Sequence, residues 1–160
     1  MPTLVLLRHG KSAYPEGVGD HDRPLSDRGE REAPVAGRRL AGSLADLDGG
    51  VDVVLVSSAV RAQQTWRLAA AQIAASTVET KGELYLAELD GLLDAVHGLP
   101  NNAGIAVIVG HNNGLEDFAS WLCGVPVVLK TSTYAVITSE RVWSQWDEAS
   151  ADLTEVVVAR

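Results

Sequence analysis

Three short apolar runs end on residues that ordinarily seek water, and this restricts the fold more than any other feature of the chain. TLVLL (3–7) runs into Arg8 and His9, DVVLV (52–56) leads through Ser57 and Ser58 to Arg61, and IAVIV (105–109) stops at Gly110 and His111. Short, unbroken and rich in β-branched residues, such runs read as strands buried on both faces. Stretches with helical periodicity lie between them. Ser26 caps a helix whose apolar positions are Ala33, Ala36, Leu40, Leu44 and Leu47, and Pro34 implies either a late start or a bend. Ser58 caps a second helix, with Ala62, Trp66, Ala69 and Ile73 on one face. A short helix over LDGLLDAVHGL ends near Gly98, and another carries Leu115, Phe118, Ala119 and Leu122 before a Gly124 cap. TVET reads as a short strand, TYAVITSERVWSQW as a closing hairpin and LTEVVVA as a last strand. This alternation predicts an α/β fold.

Composition narrows the function classes. A chain of 160 residues, 46% hydrophobic and without repeats or a linker, predicts one domain over residues 1–160. The net charge of −8 argues against nucleic acid as a partner. Ten of the 13 basic residues are nevertheless arginine, whose planar fork suits phosphate, so cationic pockets fit within the acidic field. Cys123 is the only cysteine, which excludes an internal disulfide, and its apolar neighbours make it a packed thiol rather than a nucleophile. The opening apolar run stops at Arg8, and no stretch approaches the roughly 18 apolar residues of a membrane span. A cytoplasmic protein without membrane attachment is the expectation.

In a parallel α/β sheet the carboxyl ends of the strands share one edge, where ligand crevices form. Arg8, His9, Arg61 and His111 then converge where helix N-termini also point free N–H groups. That combination is a site for a dianion, and phosphate is the natural candidate.

Four blocks, LRHGKS, RPLSDRG, VSSAVRAQQT and VIVGHNNGLED, stand in an order that resembles the histidine phosphatase superfamily. The compact length, DHDRPLSDRG and ELYLAELDGLLDAV are most similar to its SixA-type phosphohistidine phosphatase branch. The resemblance implies a phosphoglycerate mutase-like fold, a three-layer α/β/α sandwich with a mostly parallel central sheet. It also implies that His9 is the nucleophile that becomes phosphorylated, that Arg8 and Arg61 grip the phosphoryl oxygens, and that His111 completes the pocket. Physical chemistry agrees: flanking arginines keep an imidazole neutral and balance the charge on phosphoryl oxygens. Gly10 is expected to let the backbone approach the anion. No cofactor is expected, and no metal, because arginines carry the charge.

Other residues admit two readings. Arg23 either pairs with a carboxylate or reaches the phosphate, and Ser12 and Asn112 either donate to the anion or shape the chain. His21 and His97 read as surface residues, and Trp66, Trp121, Trp143 and Trp146 as packing. For protonating a leaving group the candidates are Asp20, favoured by the resemblance, with Asp22 and Glu88 as alternatives. The short connections leave little material for a lid, so the expected substrate is a phosphohistidine in a partner protein. The alternatives are a small phosphate ester or, in a different class, a phosphate-binding module without turnover.

Overall fold

The computed structural model describes residues 1–47 and 50–159. Along the chain run β1 (Thr3–Arg8), α1 (Asp27–Leu44), β2 (Val51–Ser57), α2 (Val60–Ala69), β3 (Ala75–Lys81), α3 (Leu89–His97), β4 (Ile105–Gly110), α4 (Gly114–Cys123), β5 (Thr133–Thr138) and β6 (Asp152–Val158). The six strands form one sheet in the order β3-β2-β4-β1-β5-β6. β1 to β4 pair in parallel, while β5 and β6 add an antiparallel flank.

Strand periodicity separates the core into two layers. Leu4 and Leu6 of β1 and Ile108 of β4 join α3 and α4 through Leu92, Val96, Phe118 and Leu122. Val5 and Leu7 face the other way, packing with Ala36 and Leu40 of α1 and Ala62 and Trp66 of α2. Burying both faces of the central strands is what their unbroken apolar runs require, at about 1.5–3 kcal/mol for each large side chain. The result is the expected three-layer α/β/α sandwich. Register then aligns the strand ends: Arg8 lies beside Gly110, and Val56 beside Val109.

Local signals were obeyed in part. Ser26 Oγ accepts the Gly29 N–H at 3.2 Å, and Gly124 ends α4 in the left-handed region at φ 67°. α1 does not start late; it runs from Asp27 through Pro34, which removes only one intrahelical donor. Leu47 lies beyond its end and is exposed. α2 ends at Ala69 and a 3-10 turn (Ala70–Gln72) follows, so Ile73 packs from outside the helix. Its cap is Ala59 rather than Ser58, with Ser57 Oγ accepting the Ala59 N–H. TVET belongs to the longer β3. The closing hairpin is not local: β5 pairs with β6, and Trp143–Gln145 form a 3-10 turn. Trp143 and Trp146 are buried there, their indole N–H groups donating to the Ala103 and Arg141 carbonyls. No helix among the described residues is long and apolar enough to cross a membrane.

The contact between α1 and α2 is so close that a Cβ on Gly37 would lie 2.0 Å from the Ala69 carbonyl oxygen. Gly42, on the same helix, has open space around its missing Cβ. Gly37→Ala is expected to lose about 2–3 kcal/mol of stability, and Gly42→Ala to gain about 0.5–1 kcal/mol. Urea unfolding of the two variants checks both signs.

Candidate active site

Arg8 is the last residue of β1, and the chain turns immediately after it. The His9 N–H still donates to the Gly110 carbonyl at 3.1 Å, continuing the ladder by one bond. His9 is 7% exposed, and its Nδ1 lies 2.7 Å from the Gly10 carbonyl oxygen. A carbonyl only accepts, so Nδ1 carries the proton and Nε2 keeps its lone pair. Arg61, on the first turn of α2, donates Nε–H to that Nε2 at 3.3 Å. Thr65, one turn further along α2, accepts the Gly10 N–H and donates to the Arg61 carbonyl, tying the loop to the helix. The space a Gly10 Cβ would fill is bounded by Ser132 Oγ, Leu25 and Gly29. Gly10 thus permits close packing against α1, not the approach to an anion expected of it.

His111 follows β4, with its ring centroid 5.1 Å from that of His9. Its Nε2 is 2.7 Å from Ser57 Oγ, at the end of β2. Ser57 is fully buried, and of its two Oγ partners among the described residues, the Ala59 N–H and His111 Nε2, only the ring nitrogen can accept the hydroxyl proton. The His111 Nδ1 is then the protonated nitrogen, and it has no partner among the described residues. The Arg8 Nε–H is likewise buried without one, while Arg8 Nη1 donates to the Leu129 carbonyl at 2.9 Å.

A 3-10 turn (Asp20–Asp22) brings a carboxylate to the same place. Arg61 donates through Nη1 to the Asp20 carbonyl at 2.7 Å and through Nη2 to Asp20 Oδ2 at 3.1 Å. Arg23 holds Asp20 Oδ1 at 3.1 Å and donates to Ser12 Oγ at 2.8 Å. Tyr85 donates its hydroxyl to Asp20 Oδ2. The carboxylate reading of Arg23 therefore holds, and the same side chain lines the pocket. Asn112 donates to the Leu129 carbonyl at 2.7 Å, leaving its Oδ1 buried without a partner among the described residues.

All eight candidates, Arg8, His9, Ser12, Asp20, Arg23, Arg61, His111 and Asn112, line one pocket of about 240 Å³. The alternative acids do not. Glu88 is exposed and lies in a neighbouring groove with Asp90 and Asp117, and exposed Asp22 pairs with His21 Nδ1. His21 is not the plain surface residue expected. Its Nε2 meets Ser58 Oγ at 2.9 Å and its ring sits against Tyr85, at a centroid distance of 4.7 Å. Sequence reasoning gave no role to Ser57 or Tyr85; an aromatic hydroxyl between an edge strand and a helix was the available signal for Tyr85. A groove of about 410 Å³ between β2, β3 and α3 carries Glu79, Glu83 and Asp94 but no histidine. Among the described residues no cluster of three or more histidine, cysteine or carboxylate groups could hold a metal ion.

Electrostatics fixes the protonation states. Burial, above all, lowers His9 to about 3, with His111, Arg61 and Arg8 adding to the effect against the opposing Gly10 carbonyl. Burial also lowers His111 to about 4, aided by Arg61. Asp20 is lowered to about 2, foremost by the Tyr85 hydroxyl; burial opposes this, and Arg61 and Arg23 add to the lowering. Near neutral pH the pocket therefore holds two uncharged imidazoles and a carboxylate among cations. Burial raises the Cys123 thiol to about 11, which fits a packing role.

A sequence model of the histidine phosphatase superfamily (branch 1) matches residues 4–98. A Nakamurella multipartitia structure named as a SixA phosphohistidine phosphatase is 30% identical, with a TM-score of 0.86 over 99% of this chain and 96% of that one. The protein histidine phosphatase SixA complexed with tungstate shares the fold, at 21% identity and a TM-score of 0.82 over 98% and 97% of the two chains. An uncharacterised protein of Mycobacterium tuberculosis is 40% identical over 105 residues, which span 66% of this chain and 62% of that relative's length.

The depressed histidines have a consequence for stability. Unfolded histidines take up protons as pH falls through about 6.5, whereas in the fold His111 and His9 stay neutral down to about 4 and about 3. The unfolded state then binds more protons than the native one, and stability drops as pH falls through that window. Urea unfolding is expected to show this loss in the wild type and a shallower one in His9→Asn. The ring Cε1–H resonances of both histidines should not titrate above about pH 5.

Proposed function

The chain belongs to the histidine phosphatase superfamily, in its SixA-type branch, and from that premise we propose that it removes phosphate from phosphohistidine in a partner protein through a phosphoenzyme on His9. One observation carries the reading: His9 Nε2 is an unprotonated nucleophile held in a buried pocket of arginines. The likeness to the Nakamurella protein, at 30% identity over nearly the whole chain, supports the substrate class.

Arg8 and Arg61 receive the phosphoryl oxygens with their uncommitted N–H groups, and His111 adds its Nδ1–H. Arg23 and Ser12 stand at the wall. His9 Nε2 attacks phosphorus in line, forming a P–N bond as the bond to the leaving nitrogen breaks and its electron pair departs with the substrate imidazole. Charge accumulating on the equatorial oxygens meets cations already in place, a role that in other phosphoryl-transfer sites falls to a metal ion. Water then hydrolyses the phosphohistidine and restores His9. A P–N bond to imidazole is labile and needs little acid help, whereas an alkoxide must be protonated as it leaves. Asp20 is the carboxylate at hand for proton transfer, and it rests ionised. The pocket's rim is open: Tyr14 lines it with 75% of its surface exposed, leaving room for a macromolecular substrate.

With radiolabelled phosphohistidine protein, the wild type is expected to trap an acid-labile, base-stable label on His9, and His9→Ala to lose turnover while folding normally. Full activity in His9→Ala, or faster release from sugar phosphates than from phosphohistidine, would overturn this reading.

Activity is also expected to survive exhaustive chelation. Arg61→Ala should lose about 3–4 kcal/mol of transition-state stabilisation in kcat/KM, and Arg61→Lys should recover little of it because the fork is gone. Recovery of chelated enzyme only on adding a divalent ion would refute the arginine mechanism.

A further inference from the structure

Tyr85 touches more of the pocket's charged machinery than any role so far given to it explains. It follows the 3-10 turn Gly82–Leu84 at the end of edge strand β3, and its hydroxyl reaches across to Asp20 Oδ2. Its ring lies edge-on to His111 on one side and His21 on the other, at centroid distances of 5.6 and 4.7 Å. The Arg61 guanidinium carbon is 6.0 Å from the ring centroid. The groups facing Asp20 are thus Tyr85, Arg61 from α2 and Arg23 from its own loop, with His21 behind Tyr85.

We propose that Tyr85 is a positioning residue that fixes the Asp20 carboxylate at the far end of the Arg61 guanidinium, where Asp20 takes the proton of the water that breaks the His9 phosphohistidine. The inference rests on the phosphoenzyme reading above. Arg61 connects the two reacting ends, donating Nε–H to His9 Nε2 and Nη2–H to Asp20 Oδ2. In the step itself, the water oxygen bonds to phosphorus as the P–Nε2 bond breaks. The electron pair returns to Nε2, and the water proton passes to Asp20, which later releases it to solvent. A carboxylate that already accepts from three donors on two oxygens keeps one orientation, and orientation is what a general base needs. The hydroxyl of Tyr85 is the one donor of the three that is not itself a phosphate ligand or its neighbour. It therefore stays on Asp20 when Arg61 engages the substrate.

Tyr85→Phe keeps the ring between the two histidines and removes only the hydroxyl. With an aryl phosphate, rapid quench separates phosphoenzyme formation from its breakdown. Formation is expected to change by less than about twofold and breakdown to slow about tenfold, so the label on His9 accumulates. In an Asp20→Asn background, Tyr85→Phe should cost nothing further, because it acts through that carboxylate. Equal slowing of both steps, unchanged breakdown, or a full effect in the Asp20→Asn background would overturn the proposal. Absence of any label on His9 would overturn the phosphoenzyme reading, and this one with it.

Discussion

The Arg61 guanidinium is the joint on which the pocket depends. It touches His9 Nε2 through Nε and the Asp20 turn through both terminal nitrogens, so two segments 11 residues apart in sequence are fixed by one side chain from a third. The planar fork matters here, because a lysine ammonium has no geometry that aims donors in two opposed directions. Arg61 is itself placed by simple means. β2 ends in register with β4, α2 starts within three residues, and the first turn of that helix points back over the sheet edge. Its burial, at 2% exposure, is tolerable because Asp20 supplies the compensating charge.

Such an arrangement conflicts with what a stable core prefers. Burying two imidazoles, an arginine and a serine costs desolvation, and the fold meets part of that cost with fixed hydrogen bonds, while Arg8 Nε–H and His111 Nδ1–H keep no acceptor among the described residues. Ser57 illustrates the economy: one hydroxyl accepts from the start of α2 and orients His111. Neutral histidines follow from the same environment. Low solvation and nearby cations favour the uncharged ring, and an uncharged Nε2 is the form that can attack phosphorus. The price in stability and the gain in reactivity have one cause.

This separates what was legible in the sequence from what was not. The strands and the four central side chains were readable because each group sits next to a buried run in the chain itself: Arg8 and His9 after TLVLL, His111 after IAVIV. Arg61 was readable because one helical turn is a short and regular distance. Tyr85 was not, since its contact with Asp20 spans 65 residues and depends on where β3 lies beside β2. His21 failed for a related reason. Its partner Ser58 belongs to another element, and no periodicity marks either residue. The misplaced hairpin shows the opposite error. Val142, Trp143 and Trp146 are apolar enough to suggest a strand, yet the two indoles pack against each other, tilted by 31° at a centroid distance of 4.9 Å, over a 3-10 turn. The apolar character of the two tryptophans reported burial correctly and geometry wrongly, and Val142 is exposed.

The donor inventory explains why a phosphoryl group, in particular, suits this pocket. An arginine has five N–H groups, and Arg61 commits one from each nitrogen, which leaves two pointing elsewhere. Arg8 commits a single N–H to the Leu129 carbonyl, and its buried Nε–H has no acceptor among the described residues. His111 Nδ1–H is in the same position. Buried donors without acceptors are costly, so a ligand that presents several acceptor atoms at once relieves several penalties together. A carboxylate has two oxygens in one plane and already finds its place on the outer side of Arg61, as Asp20 does. In the mechanism proposed above, a phosphoryl group offers three equatorial oxygens around an axis to donors from β1, α2 and β4 and leaves the axial direction to His9. On that reading the number and direction of acceptors, rather than charge, separate the pocket's own internal anion from a phosphoryl ligand.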